Sequence, residues 1–176
     1  MTGWVAFLRG VNLGRRTVKS AELKAAVEAL GFARVRTLLA SGNVLFEAKT
    51  GPGLAAQLET ALHGTFGFEI GVVLRRQEAL QALVAADPFA GRREDDDTKL
   101  HVTLLARPEA GNLPMPCAEP GDFEVVHRTE GEIFILAHRQ PGGRFGPGME
   151  RIGKHFGKTT LWTSRNWNTV CKAAAG

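Results

Sequence analysis

Residues 35–46 read VRTLLASGNVLF: two apolar runs, 35–39 and 44–46, on either side of Ser41-Gly42-Asn43. Runs of this length suit buried strands, and Gly and Asn supply the backbone of a tight turn, so the stretch predicts a β-hairpin. Upstream, residues 4–8 form another short apolar run, bounded by Arg9-Gly10. A helix follows it. Ser20 is placed as its N-cap, Leu23, Ala26, Val27 and Leu30 recur at helical spacing, and Gly31 stops it. Downstream, Leu54, Leu58, Leu62 and Phe66 form an i, i+4 ladder ending at Gly67, and Ile70, Val72 and Leu74 alternate as a closing strand. The order is β-α-β-β-α-β, the ferredoxin-like or split βαβ arrangement.

A helix over residues 77–86 stops at Pro88, and residues 90–98 read as a charged linker. The second half repeats the theme less cleanly. Strands are expected at 100–105, 123–127 and 133–137, the last two joined at Glu130-Gly131. A minimal helix is expected within 106–121, and a Met149, Ile152, Phe156 stripe marks another although Gly148 and Gly153 weaken it. A short strand at 160–162 and a last helix over 165–174 complete it. The expected fold is therefore α+β: two ferredoxin-like (βαββαβ) halves in tandem, 1–88 and 98–176, with an additional C-terminal helix, forming one compact unit.

The chain has 176 residues, 44% hydrophobic and 23% charged, the composition of a soluble globular protein. No apolar run reaches the roughly 18 residues of a membrane span, and the N-terminus lacks a signal-peptide pattern, so a cytoplasmic location without membrane association is expected. Net charge is +4, unevenly spread. Residues 139–176 hold seven Arg and Lys against Glu150 alone, a net +6, while the other 138 residues hold fifteen cations and seventeen acids, a net −2. The surplus favours an anionic partner near the C-terminus; a solvated basic face explains the same count.

Three polar stretches are candidate site material. Loop RGVNLGRR (residues 9–16) has glycines and cations, yet it has neither the G-x-x-x-x-G-K-[ST] of a Walker loop nor G-x-G-x-x-G, so no nucleotide cofactor is implied. In the expected topology it leaves the sheet at the same end as Ser41-Gly42-Asn43. TSRNWNTV (residues 163–170) is the third. Trp167, Val170, Cys171 and Ala174 fall on one helical stripe as a core anchor, while Arg165, near the expected helix start, is favourable there if an anion sits beside the helix N–H groups. Alternatively Arg165 is solvated or pairs with a carboxylate, with Ser164 or Asn166 as cap. His101, His127 and His138 fall on three separate strands with no identifiable partner carboxylate, and Glu94-Asp95-Asp96-Asp97 lacks calcium-loop spacing, so no metal site is assigned. Cys117 and Cys171 show no zinc or disulfide spacing and read as buried thiols. No nucleophile and base pair is evident.

Taken together, VAFLRGVNLG (residues 5–14), LLASGNVLF (38–46) and TSRNWNTV, with AADPF (85–89) and KLHVTLL (99–105) in register, resemble the DUF 1697 family of small, mainly bacterial proteins. The resemblance implies an α+β fold of two ferredoxin-like halves and supplies no substrate. Two departures are RFGPGMERIG (144–153), where the family usually has a better helix former, and Ser164, which stands where the family has its usual small residue. The leading expectation is a polar pocket of Arg9, Asn12, Ser41, Asn43, Arg165, Asn166 and Asn168 for a small anionic or nucleotide-like ligand, since Arg and Asn fix donors and acceptors without a proton-transfer group. RNA or single-stranded DNA binding on the sheet is the second expectation, with Phe7 and Phe46 as stacking or core residues. An enzyme acting on a phosphorylated metabolite is the third. Catalytic residues and oligomeric state are not legible.

Overall fold

The computed structural model describes the backbone of every residue and every side chain except that of Ser41, whose expected place in the pocket lies outside what is described. It is a mixed α+β structure with two antiparallel sheets and a C-terminal helix. Residues Met1–Ala82 with Lys172–Gly176 make one compact unit, and Leu83–Cys171 a second. Among the described residues, no helix is long and apolar enough to cross a membrane.

The first unit runs β1 (Thr2–Arg9), α1 (Ser20–Glu28), β2 (Ala33–Leu38), β3 (Asn43–Ala48), α2 (Leu54–Phe66) and β4 (Gly71–Arg76), then enters α3 (Gln77–Ala85). Its sheet order is β2-β3-β1-β4. Alternation along the strands puts Ala6, Leu8, Val44, Phe46 and Val72 on one face, where Leu23 and Val27 of α1 and Leu58 and Leu62 of α2 cover them. The helix ladder thus ends as expected: Gly67 takes φ +77° and its N–H reaches the His63 carbonyl at 2.8 Å. One cap differs. Lys19, not Ser20, precedes the first turn of α1, and it makes no side-chain cap bond.

The hairpin turn also moves. Ala40–Gly42 is a 3-10 turn, and the left-handed backbone falls on Leu39 (φ 51°) and Ala40 (φ 61°) rather than on Gly42 or Asn43. Asn43 is already strand: it is buried, and its Nδ2 donates to the Leu38 carbonyl at 3.0 Å, closing the hairpin from inside. This side-chain bond, worth about 1 kcal/mol, offsets part of the cost of two non-glycine left-handed residues at about 1–2 kcal/mol each.

The second unit carries β5 (Thr98–Leu105), β6 (Ala118–Glu119), β7 (Phe123–Arg128), β8 (Glu132–His138), β9 (Trp162–Asn166) and the start of α4 (Trp167–Ala175), in sheet order β6-β7-β8-β5-β9. Without β6, the order repeats that of the first sheet. Its expected α-helices do not form. Residues within 106–121 yield only the 3-10 turn Ala110–Asn112, and the Met149 stripe becomes the 3-10 helix Pro147–His155. In the second of these segments the glycines are packed tightly: a Cβ on Gly153 would stand 2.6 Å from the Trp162 ring, and one on Gly148 2.3 Å from the Asp122 carboxylate. Both glycines are contact positions, at the expense of α-helix propensity. Ile152 and Phe156 are still buried, against Leu105, Phe123, Val125, Ile133 and Ile135. The last strand lies later than expected, so α4 begins at Trp167 and Arg165 sits in β9 instead of at a helix start.

Candidate functional site

In the first unit, Asn43 pairs with Phe7 across β1 and β3, which brings the loop after β1 and the β2–β3 hairpin to the same end of the sheet. Arg9 is the exposed last residue of β1, opposite Gly71. The loop beyond it is ordered by its own bonds. Gly10 (φ 86°), Asn12 (φ 52°) and Gly14 (φ 57°) turn it, the Arg16 N–H reaches the Leu13 carbonyl at 2.9 Å, and Asn12 Oδ1 accepts the Val18 N–H at 3.0 Å. The Arg16 guanidinium lies over the Phe68 ring, 5.2 Å from its centroid, a cation–π contact. Asn12 and Asn43 therefore spend at least one amide group each on holding the backbone, while Arg9, Arg15 and Arg16 are exposed cations at this end.

In the second unit, β5 and β9 pair with His101 opposite Asn166, Val102 opposite Arg165 and Thr103 opposite Ser164. Successive strand residues face opposite sides, so Arg165 lies on one face of the sheet, and Ser164 and Asn166 lie on the other. Arg165 Nη1 donates to Thr163 Oγ1 and to the Ser164 carbonyl, each at 2.8 Å. Burial brings its guanidinium down to about 10. Asn166 is the cap of α4. Its Oδ1 accepts the Asn168 N–H at 2.9 Å, and its Nδ2 donates to Glu94 Oε1 at 2.7 Å. Asn168 itself is exposed on the first turn of α4.

Around Asn166 the structure assembles groups that the sequence reading did not combine. Glu94 Oε1 also accepts the Leu100 N–H at 3.0 Å, tying the segment before β5 to the strand, and Thr103 Oγ1 and Ser164 Oγ share a 2.7 Å hydrogen bond. His101, beside them, is shifted down by burial and partly back up by the Glu94 charge. A signal for this face exists in KLHVTLL, where His101 and Thr103 alternate with Leu100, Val102 and Leu104. The Glu94 contact has no local signal, because its partner is 72 residues away. The acidic run forms a turn in which Asp95 Oδ1 accepts the N–H groups of Asp97 and Thr98 at 2.9 and 2.7 Å. His127 packs on Phe134, and His138 Nδ1 lies 3.3 Å from Thr98 Oγ1. Among the described residues, no group of three or more His, Cys, Asp or Glu is placed to hold a metal ion. Both cysteines are half-buried, with burial pushing each thiol up.

The His101 environment makes stability depend on pH. A lowered folded-state pKa means that the unfolded chain binds the proton first as pH falls below the ordinary value of 6.5. Stability from this group is thus full above that value and lost as pH drops through the lowered folded value. His101→Gln is expected to flatten the fall in Tm across this acid window, measured beside the parent protein; parallel curves would contradict the assignment.

The comparisons follow the same outline. A conserved bacterial protein from Streptococcus pneumoniae has a similar solved structure, with a TM-score of 0.68 over 99% of this chain and 97% of that one. At 19% identity the likeness is one of fold. No curated protein matches the sequence. The profile of a family described as a protein of unknown function matches residues 1–134. By that match, which covers the loop after β1, the hairpin and most of the second sheet, the chain belongs to the DUF1697 family.

Proposed function

We propose that the protein binds a small anionic or nucleotide-like ligand, with Arg165 of the second unit as the cation that meets it. The observation that carries this is Arg165. A guanidinium placed on a strand pays a desolvation cost that a surface Arg avoids, and bonds to Thr163 Oγ1 and the Ser164 carbonyl help fix its aim. Its planar fork of N–H donors matches the oxygens of a carboxylate or phosphate. Arg9 is an exposed cation at the ordered loop of the first unit. Asn12, Asn43 and Asn166 then serve as positioning residues through the backbone bonds they accept or donate, Asn168 offers an exposed amide, and Ser41 belongs to the proposed set by sequence. The matching strand orders β2-β3-β1-β4 and β7-β8-β5-β9 support reading residues 1–88 and 98–176 as two ferredoxin-like halves. Nucleic-acid binding is less well supported, since Phe7 and Phe46 are buried and offer no stacking surface.

Thermal melting in inorganic pyrophosphate and in adenosine monophosphate tests the proposal. A ligand at a hundredfold excess over its Kd adds about 2.7 kcal/mol. For a chain of this size each kcal/mol moves Tm by about 2–4 °C. The rise is expected in the parent protein and lost in Arg165→Gln. An equal rise in that variant would overturn the proposal.

A further inference from the structure

Among the described residues, the large apolar side chains that stand exposed are Met1, Leu13, Leu39 and Met115, and two of them belong to neighbouring loops of the first unit. Leu13, 61% exposed, lies in the loop between β1 and α1, and Leu39, 52% exposed, opens the β2–β3 turn. The 3-10 turn Ala40–Gly42 contacts both β1 and α1, the elements that this loop joins, so the two leucines share one end of the first sheet. Single exposed apolar residues are ordinary, whereas two brought to one end by separate loops begin a patch.

Neither leucine serves the core. Leu39 takes φ 51° and ψ 73°, a left-handed conformation that glycine or asparagine adopts more easily, so it costs stability while burying little. Leu13 opens a turn closed by the bond from the Arg16 N–H to its own carbonyl, which places Arg15 and Arg16 in the same turn. The loops over residues 9–19 and 38–43 carry Arg9, Arg15, Arg16 and Lys19, all exposed, and no acid. The acids set behind them are Glu22 in the first turn of α1, Glu69 before β4, and Glu59, whose Oε1 accepts the Val72 N–H at 2.9 Å. Arg15 and Lys19 make no ion pair among the described residues. Arg16 keeps its charge over the ring of Phe68, a half-buried aromatic at the same end.

We propose that this end of the first unit docks on the surface of a bilayer containing anionic lipid, with Leu13 and Leu39 entering the headgroup boundary and Arg15 and Arg16 meeting the lipid headgroups. Apolar tips with cations in the same turn fit a surface that is anionic outside and apolar beneath, which is the chemistry of such a bilayer and not of a hydrated polyanion. Each cation at an anionic membrane strengthens adsorption about fivefold, and each leucine that leaves water about tenfold. Neither contribution suffices alone, so binding requires both and is reversible. The contact is with the membrane surface, for which no spanning stretch is required.

Co-sedimentation with sucrose-loaded vesicles tests this, using phosphatidylcholine with about 30% phosphatidylserine and phosphatidylcholine alone, in about 0.1 M salt. The parent protein is expected on the anionic vesicles, with retention falling as salt rises, and far less on the neutral ones. Arg15→Gln/Arg16→Gln is expected to lower the partition coefficient about thirtyfold. Leu13→Ser/Leu39→Asn is expected to lower it about tenfold or more. All four positions are exposed, and asparagine suits the left-handed backbone at 39, so both variants are expected to keep the parent Tm. No retention on the anionic vesicles would leave this end to a protein or nucleic-acid partner and overturn the proposal. Equal retention on neutral vesicles, or retention unchanged by the leucine pair, would overturn it as well.

Discussion

Phe134→Ala is expected to destabilise the protein by about 3–5 kcal/mol, measured by urea denaturation. Phe134 is 0% exposed in the middle of β8. Its ring meets Phe89 edge-on at 5.5 Å, Trp167 at 5.8 Å and His127 at 5.6 Å. Phe89 and Trp167 also touch each other at 5.4 Å, so the three rings close a triangle whose members come from the turn after α3, from β8 and from α4. Truncation removes the transfer free energy of the ring, leaves a void that these rigid neighbours cannot fill, and forfeits edge-to-face contacts of about 0.5–1.5 kcal/mol each. Phe134→Leu keeps most of the volume and is expected to lose less than half as much. A loss under about 1.5 kcal/mol for the alanine variant would show that this cluster does not anchor α4.

Gly146→Ala is the second large effect. Gly146 takes φ +51°, and a Cβ there would stand 2.8 Å from the Ala137 Cβ and 3.2 Å from its Cα, on a strand that cannot yield. The left-handed backbone costs a non-glycine residue about 1–2 kcal/mol and overpacking a further 1–3 kcal/mol, so the total is about 2–5 kcal/mol. Gly143→Ala is the control. Gly143 also has positive φ, at +80°, but its Cβ would meet nothing within 4 Å. It is expected to show the backbone cost alone, and the difference between the two variants isolates the contact with β8. Equal losses would mean that the segment shifts to make room.

The first unit was largely legible because its signals are local. The ladder Leu54, Leu58, Leu62, Phe66 with Gly67 specifies α2 in one stretch of chain, and the alternating strands leave one register that buries their apolar side. The turn of the hairpin is offset by a few residues from its sequence signal because Asn43, a turn former by type, belongs to the strand. Its amide instead bonds across the hairpin to Leu38, and the strain passes to Leu39 and Ala40. The second unit was less legible because its helical segment is shaped by tertiary contacts. Gly148 and Gly153 read as weak helix formers, whereas what fixes them is the approach of Asp122 and the Trp162 ring.

For the candidate site, residue types were legible and their roles were not. Asn12, Asn43 and Asn166 stood out as polar, and the structure gives each a bond to backbone. Arg165 and Asn166 were grouped by adjacency, yet a strand sends neighbours to opposite faces, a consequence visible only once β9 is known to extend to Asn166. Glu94 looked like one charge of a linker, and it joins Leu100 and Asn166.

The most direct measurement of the central proposal is a calorimetric titration of the protein with inorganic pyrophosphate, at low and at physiological salt, alongside Arg165→Gln. Saturable heat that weakens with salt in the parent protein, and disappears in the variant, is the result expected of an anion meeting this guanidinium. No saturable heat at either salt, or the same isotherm from Arg165→Gln, would contradict it.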